Sequence, residues 1–153
     1  MIKIKQNQKG KIKTHTDDSS WYEVREELEN IMEMGKLVRA TEMNYEGKIF
    51  IPKVSSVNGE VDNHTIFHYH QNGCVLWADY MGGQIIKGHL IGTVSDVGIL
   101  DFHYHHININ KKVRIGKCHS IPYVLDNMKI EMHEEWQWLN GDKSKGVSII
   151  TER

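Results

Sequence analysis

A four-residue phrase that occurs twice limits how this chain can fold. It reads Phe67-His68-Tyr69-His70 and, again, Phe102-His103-Tyr104-His105. Aromatic and imidazole side chains alternate with period two, the spacing that on a β-strand sends successive residues to opposite faces. Two strands therefore carry the same two-faced chemistry, with aromatics on one side and histidines on the other.

From Gly47 onward the sequence reads as short strands near 48–55, 61–71, 74–80, 84–95, 98–109, 112–119, 128–139 and 147–152. Breaks fall at Asn58-Gly59, Asn72-Gly73, Gly82-Gly83, Val97-Gly98, Asn110-Lys111, Asp126-Asn127 and Asn140-Gly141-Asp142, all residues that suit tight turns. Connections this short make successive strands pair antiparallel. The two prolines, Pro52 and Pro122, are expected at strand ends or edges, where a missing donor is tolerated. Eight twisted strands in a meander hide their edges best by closing into a small barrel, or failing that a two-sheet sandwich.

The first 46 residues read differently and form an extension to the 47–153 domain. Lys and Ile alternate on both sides of Lys9-Gly10, predicting a two-stranded ribbon whose lysines protect its edges. A helix is predicted over 20–34. Ser20 and Glu23 make a capping box, Trp21, Val24, Leu28, Ile31 and Met32 form one apolar stripe, and Gly35 ends it. It is expected to pack on the sheet or to lie across one mouth of the barrel.

Composition removes several function classes. A net charge of -1 gives no reason to invoke nucleic acid. No apolar run reaches the length of a membrane span, and the Met-Ile-Lys-Ile-Lys start lacks a signal peptide's apolar core. The two cysteines, Cys74 and Cys118, both expected in strands, suggest no disulfide framework. A cytoplasmic protein is the expectation, and nothing in the sequence fixes its oligomeric state.

Apolar residues identify the inward faces. Thr65, Phe67 and Tyr69 share one face, as do Leu100, Phe102, Tyr104 and His106. Ile86, Gly88, Leu90, Gly92 and Val94 form a third, whose glycines suit a crowded wall or a close ligand. Met128, Ile130, Met132, Glu134, Trp136 and Trp138 form a fourth. A lining of Phe67, Tyr69, Phe102, Tyr104, Trp136 and Trp138, with His106 and Glu134 as polar anchors, suits a small apolar or amphipathic ligand. It equally suits a filled core in which Glu134 bonds Tyr104 or His106. An enzyme would use the same pair, Glu134 with His106 or Tyr104, as acid and base.

Other chemistry is thinly represented. His68 with His70, or His103 with His105, could supply two metal ligands, with Glu135 or Asp101 as a third. Both pairs oppose the aromatics, which places them on a solvated outer face. No nucleophile elbow, phosphate loop or dinucleotide fingerprint appears, so no cofactor is expected.

Several phrases carry a family resemblance: Thr65 to Gln71, Lys87 to Val94, Leu100 to Asn108, Gly116-Lys117-Cys118, His133 to Trp138 and Gly141 to Ser144. Over 47–152 the chain resembles a family of small bacterial single-domain proteins often labelled N-acetylglutamate synthase. The label implies acetyl transfer. A coenzyme A pyrophosphate loop entering a helix, and the strand–helix alternation of such enzymes, are both missing from this sequence. The expected fold is a mainly β, up-and-down antiparallel barrel of the calycin or lipocalin sort. Its expected role is to hold a small ligand without catalysis; the acid–base enzyme, the acetyltransferase of the label and the filled interaction module are the alternatives.

Overall fold

The computed structural model describes residues 4–6, 12–14 and 43–153. The chain divides into two compact units, Met1–Met34 and Gly35–Arg153. In the first, β1 (Ile4–Gln6) and β2 (Ile12–Thr14) pair antiparallel, Ile4 opposite Thr14 and Gln6 opposite Ile12. That is the ribbon predicted around Lys9-Gly10. The helix predicted over 20–34 lies outside the described residues.

The second unit holds β3 (Ile49–Ser55), β4 (Ile66–Asn72), β5 (Val75–Gly82), β6 (Ile85–Val94), β7 (Leu100–Asn108), β8 (Val113–Val124), β9 (Ile130–Trp138) and β10 (Lys145–Glu152). They form a closed barrel, each strand antiparallel to the next and β10 returning to β3. Closure pairs every strand on both sides and leaves an open edge only where β3 runs on past Phe50, which is why a meander of this length is stable as a barrel. The twin phrases sit on β4 and β7, with Phe67, Tyr69 and Phe102 buried and His68, His103 and His105 exposed.

Four local details depart from the sequence reading. Ile85, not Ile86, faces inward, because the pairing shifts between Tyr80 and Gly82 on one side of β6 and between Ile85 and Lys87 on the other. That bulge reverses the alternation at the start of the strand and leaves Ile86 52% exposed. Met128 stands in the β8–β9 turn at φ 68, 78% exposed, and takes no part in the inward series of β9. Cys74 lies in the β4–β5 turn, not in a strand. Pro52 lies within β3, where the bulge against β10 accommodates its missing donor.

One end of the barrel is filled by aromatic rings. Tyr45 is fully buried there and donates its hydroxyl to the carbonyl of Gly98 at 2.5 Å. Tyr69 packs with it, its ring centroid 4.8 Å from that of Phe50 and 6.3 Å from that of Tyr45.

Toward the other end, large rings share the interior with glycines in strict register. Tyr80 is opposite Gly88, Phe102 opposite Gly92, Tyr104 opposite Gly116 and Trp136 opposite Gly146. A methyl group on Gly88 would stand 2.2 Å from the Tyr80 ring, and one on Gly146 2.2 Å from Trp136. The Tyr80, Tyr104 and Trp136 rings lie across their neighbours' backbones, in the space those side chains would otherwise fill. A methyl on Gly92 would instead meet the backbone of Asp101 and Phe102. Gly88→Ala is therefore expected to destabilise the barrel by about 1–3 kcal/mol, since the buried Tyr80 must be driven from its place. Urea unfolding checks this, and an unchanged midpoint would show that the ring moves aside freely.

Candidate functional site

The rings and glycines frame a cavity that opens where β3 and β4 part company. These strands pair only at Ile49 with His68 and Phe50 with Phe67, extended by backbone bonds between 47–48 and Tyr69. Past Phe50 they separate, and the 56–65 connection runs along the cavity, contributing Gly59, Glu60 and Val61 to its wall. Phe67, Phe102, Tyr104, Trp136 and Trp138 line it, together with His106 and Glu134. Tyr69 lies deeper, in the aromatic plug. The space open to the centre of a water is about 50 Å³, enough for a few water molecules.

Glu134 projects from β9 between Ser120 on β8 and Ser148 on β10, its partners in the strand register. The Ser148 hydroxyl donates to its carboxylate at 2.6 Å. Burial pushes the Glu134 pKa up to about 7, while the hydroxyls of Ser148 and Ser120 pull the other way. The hydroxyls of Ser55 and Tyr69 are nevertheless buried with no hydrogen-bond partner. Burial, with the Glu134 charge behind it, holds the Tyr69 phenol well above its ordinary range. The contact that the enzyme alternative would use is not formed in this structure: neither His106 nor Tyr104 bonds Glu134. The cross-strand register places serines beside this carboxyl, and His106 is engaged elsewhere.

His106 belongs to a second polar group nearer the 56–65 connection. Its Nδ1 is 3.0 Å from the Tyr80 hydroxyl and its Nε2 is 3.4 Å from Glu60 Oε1. The carboxylate beside Nε2 assigns the ring proton to that nitrogen, so Nδ1 accepts from Tyr80. Burial lowers the His106 pKa and Glu60 opposes the shift. Glu60 also accepts from Asn108 Nδ2 at 2.8 Å and faces Arg114 Nη1 at 3.5 Å. The Arg114 guanidinium lies 3.9 Å over the Trp138 ring, and its Nε is buried without a partner.

Sequence reasoning named neither Glu60 nor Tyr80, Asn108 and Arg114. Tyr80 could have been found from the Leu76, Ala78, Tyr80 alternation, and Asn108 by extending the Phe102, Tyr104, His106 face. Glu60 had no such signal, because a connecting segment has no period. The His-x-His pairs point outward. His68 and His105 join Asp79 and His89 in one row across β4 to β7, where His89 bonds Asp79 at 2.9 Å. Among the described residues no group of three or more His, Cys, Asp or Glu is arranged to hold a metal ion.

Compared with known proteins, residues 43–153 match the family described as Avidin-like protein, a span that takes in the whole barrel. No curated protein and no solved structure matches the chain.

The state of Glu134 can be read from stability. A carboxyl whose pKa is higher folded than unfolded binds more protons in the native state between those two values, so it makes stability fall as pH rises through them. For Glu134 the window runs from its ordinary 4.5 to about 7, and the full effect is about 3 kcal/mol. His106, its pKa lowered, acts in the opposite sense as pH approaches 6.5. That contribution cancels when wild type is compared with Glu134→Gln. The variant is expected to gain about 3 kcal/mol on wild type between pH 4 and pH 8 in urea titrations. A difference independent of pH would show an ordinary carboxyl.

Proposed function

The chain belongs to the avidin-like family, and on that basis we propose that its barrel binds a small, partly apolar ligand with a polar head. One observation carries the reading: the unpartnered hydroxyls of Ser55 and Tyr69 lie in the same interior as a carboxyl pushed toward neutrality. Buried polar groups are normally satisfied, and each orphan costs about 1–3 kcal/mol. A ligand head able both to donate and to accept would satisfy them, with Glu134 accepting when ionised and donating when protonated. The body of such a ligand would lie against Phe102, Trp136 and Trp138. Each of those rings is rigid and apolar, so contact costs little conformational entropy.

The enclosed space is too small for a drug-sized molecule, which supports a second reading, an interaction module with a filled interior. Ligand entry requires the 56–65 connection to give way. A fragment screen by thermal shift, with tryptophan fluorescence as second readout, separates the two readings. The binding role predicts hits that perturb Trp136 and Trp138 and that weaken at least tenfold in Tyr69→Phe. That variant itself is expected to be as stable as wild type or up to about 1 kcal/mol more so, since an unsatisfied hydroxyl is removed. A screen in which no fragment raises the melting temperature would leave the filled module standing.

A further inference from the structure

We propose that Glu60 occupies the seat of a ligand carboxylate, and that the molecules this barrel takes are small carboxylic acids that displace it. The inference deepens the binding role just described by naming a chemical class. It begins with where the groups come from. Asn108, His106 and Arg114 all project from the barrel wall, on β7 and β8, whereas Glu60 alone comes from the 56–65 connection. The acceptor is on a connecting segment, and the donors are on strands of the closed barrel.

Each donor is oriented by the wall and not by Glu60. The Asn108 Oδ1 accepts the backbone N–H groups of Asn110 and Lys112, both at 3.0 Å, which turns its amide nitrogen toward Glu60. The Tyr80 hydroxyl, 3.0 Å from Nδ1, holds the His106 ring with Nε2 facing the same point. Arg114 is held by stacking on Trp138. Three donors from two adjacent strands thus converge on one position before any acceptor arrives. A site built in this way recognises an anion with two oxygens, and a carboxylate fits it by shape as well as charge.

Glu60 fills that seat loosely. Only the Asn108 bond is of ordinary length at 2.8 Å; those to His106 and Arg114 stretch to 3.4 and 3.5 Å, and the Arg114 Nε has no acceptor. The guanidinium therefore retains donor capacity that a better-placed carboxylate would use. Glu60 is only 8% exposed, so burying its charge in this setting has a cost that the ligand's own carboxylate would take over. The seat also adjoins the aromatic wall, since Trp138 carries Arg114 on its face and lines the cavity itself. An acid with a flat or branched apolar body would meet the seat and the wall together.

Benzoate, with benzamide as its neutral isostere, tests this on wild type, Glu60→Ala and Glu60→Gln by calorimetry at pH 7.5 and constant ionic strength. Benzoate is expected to bind Glu60→Gln at least tenfold more tightly than wild type, and benzamide to show no such gain. Adding Arg114→Gln to that variant should remove the gain. Acetate should restore, saturably, the melting temperature lost in Glu60→Ala, where chloride at equal ionic strength does not. Should Glu60→Ala fail to fold, Glu60→Gln decides the matter alone, because it keeps the side chain's size and loses only its charge. Equal gains for benzoate and benzamide would overturn the carboxylate class while leaving a ligand cavity intact. No gain for either would overturn the displacement of Glu60, and the fragment screen would then judge the binding role by itself.

Discussion

A ring laid across a glycine on the neighbouring strand is the contact on which this barrel depends. Eight strands enclose little room, and the interior must still take Tyr80, Tyr104 and Trp136. The solution is to remove the side chain opposite each one, at Gly88, Gly116 and Gly146. This pairing also fixes the register. A slip of one residue would set each ring against a side chain and turn the aromatic face outward, so alternative pairings are excluded sterically as well as by hydrophobic burial. The glycines weaken their strands locally, and the packed rings compensate with the large apolar area they bury.

That arrangement explains what the sequence made visible. Alternation in Phe67-His68-Tyr69-His70 and in Leu100 to His106 is the direct imprint of a two-faced wall, and Asn-Gly and Gly-Gly pairs mark the turns, so strand number, order and closure could be read in advance. The details that could not be read are the ones that break the period. A bulge exchanges Ile85 for Ile86, and a left-handed turn residue removes Met128 from its strand. In the cavity the aromatic lining was legible and the polar partnerships were not. Glu134 meets Ser148 because of cross-strand register, and Glu60 arrives on a segment whose residues follow no pattern. Which polar side chains meet is decided by three-dimensional neighbours, and a single sequence holds that information only indirectly.

Two carboxyls share this interior in opposite circumstances. Glu134 has hydroxyls for company and no cation, so its charged form is disfavoured. Glu60 sits among an imidazole, an amide and a guanidinium, all donors. The same functional group thus meets hydroxyls at one point and nitrogen donors at another, and the difference comes from the strands that face it. An elongated molecule spanning both points would have its direction of entry fixed by charge alone.

The short pairing of β3 with β4 has a consequence for how the molecule moves. Elsewhere around the ring, neighbouring strands hold one another along most of their length; at this joint the ladder stops after Phe50. A closed hoop under thermal agitation yields first at its least-bonded joint, while the remaining strands keep their hydrogen bonds. The barrel is therefore expected to breathe by a hinge-like parting of β3 from β4, a motion far smaller than unfolding. Amide exchange would be fastest on either side of that gap and slowest across β6, β7 and β8. The seam that lets the meander close without strain is also the place where the interior becomes accessible, so opening rate and overall stability can be set independently.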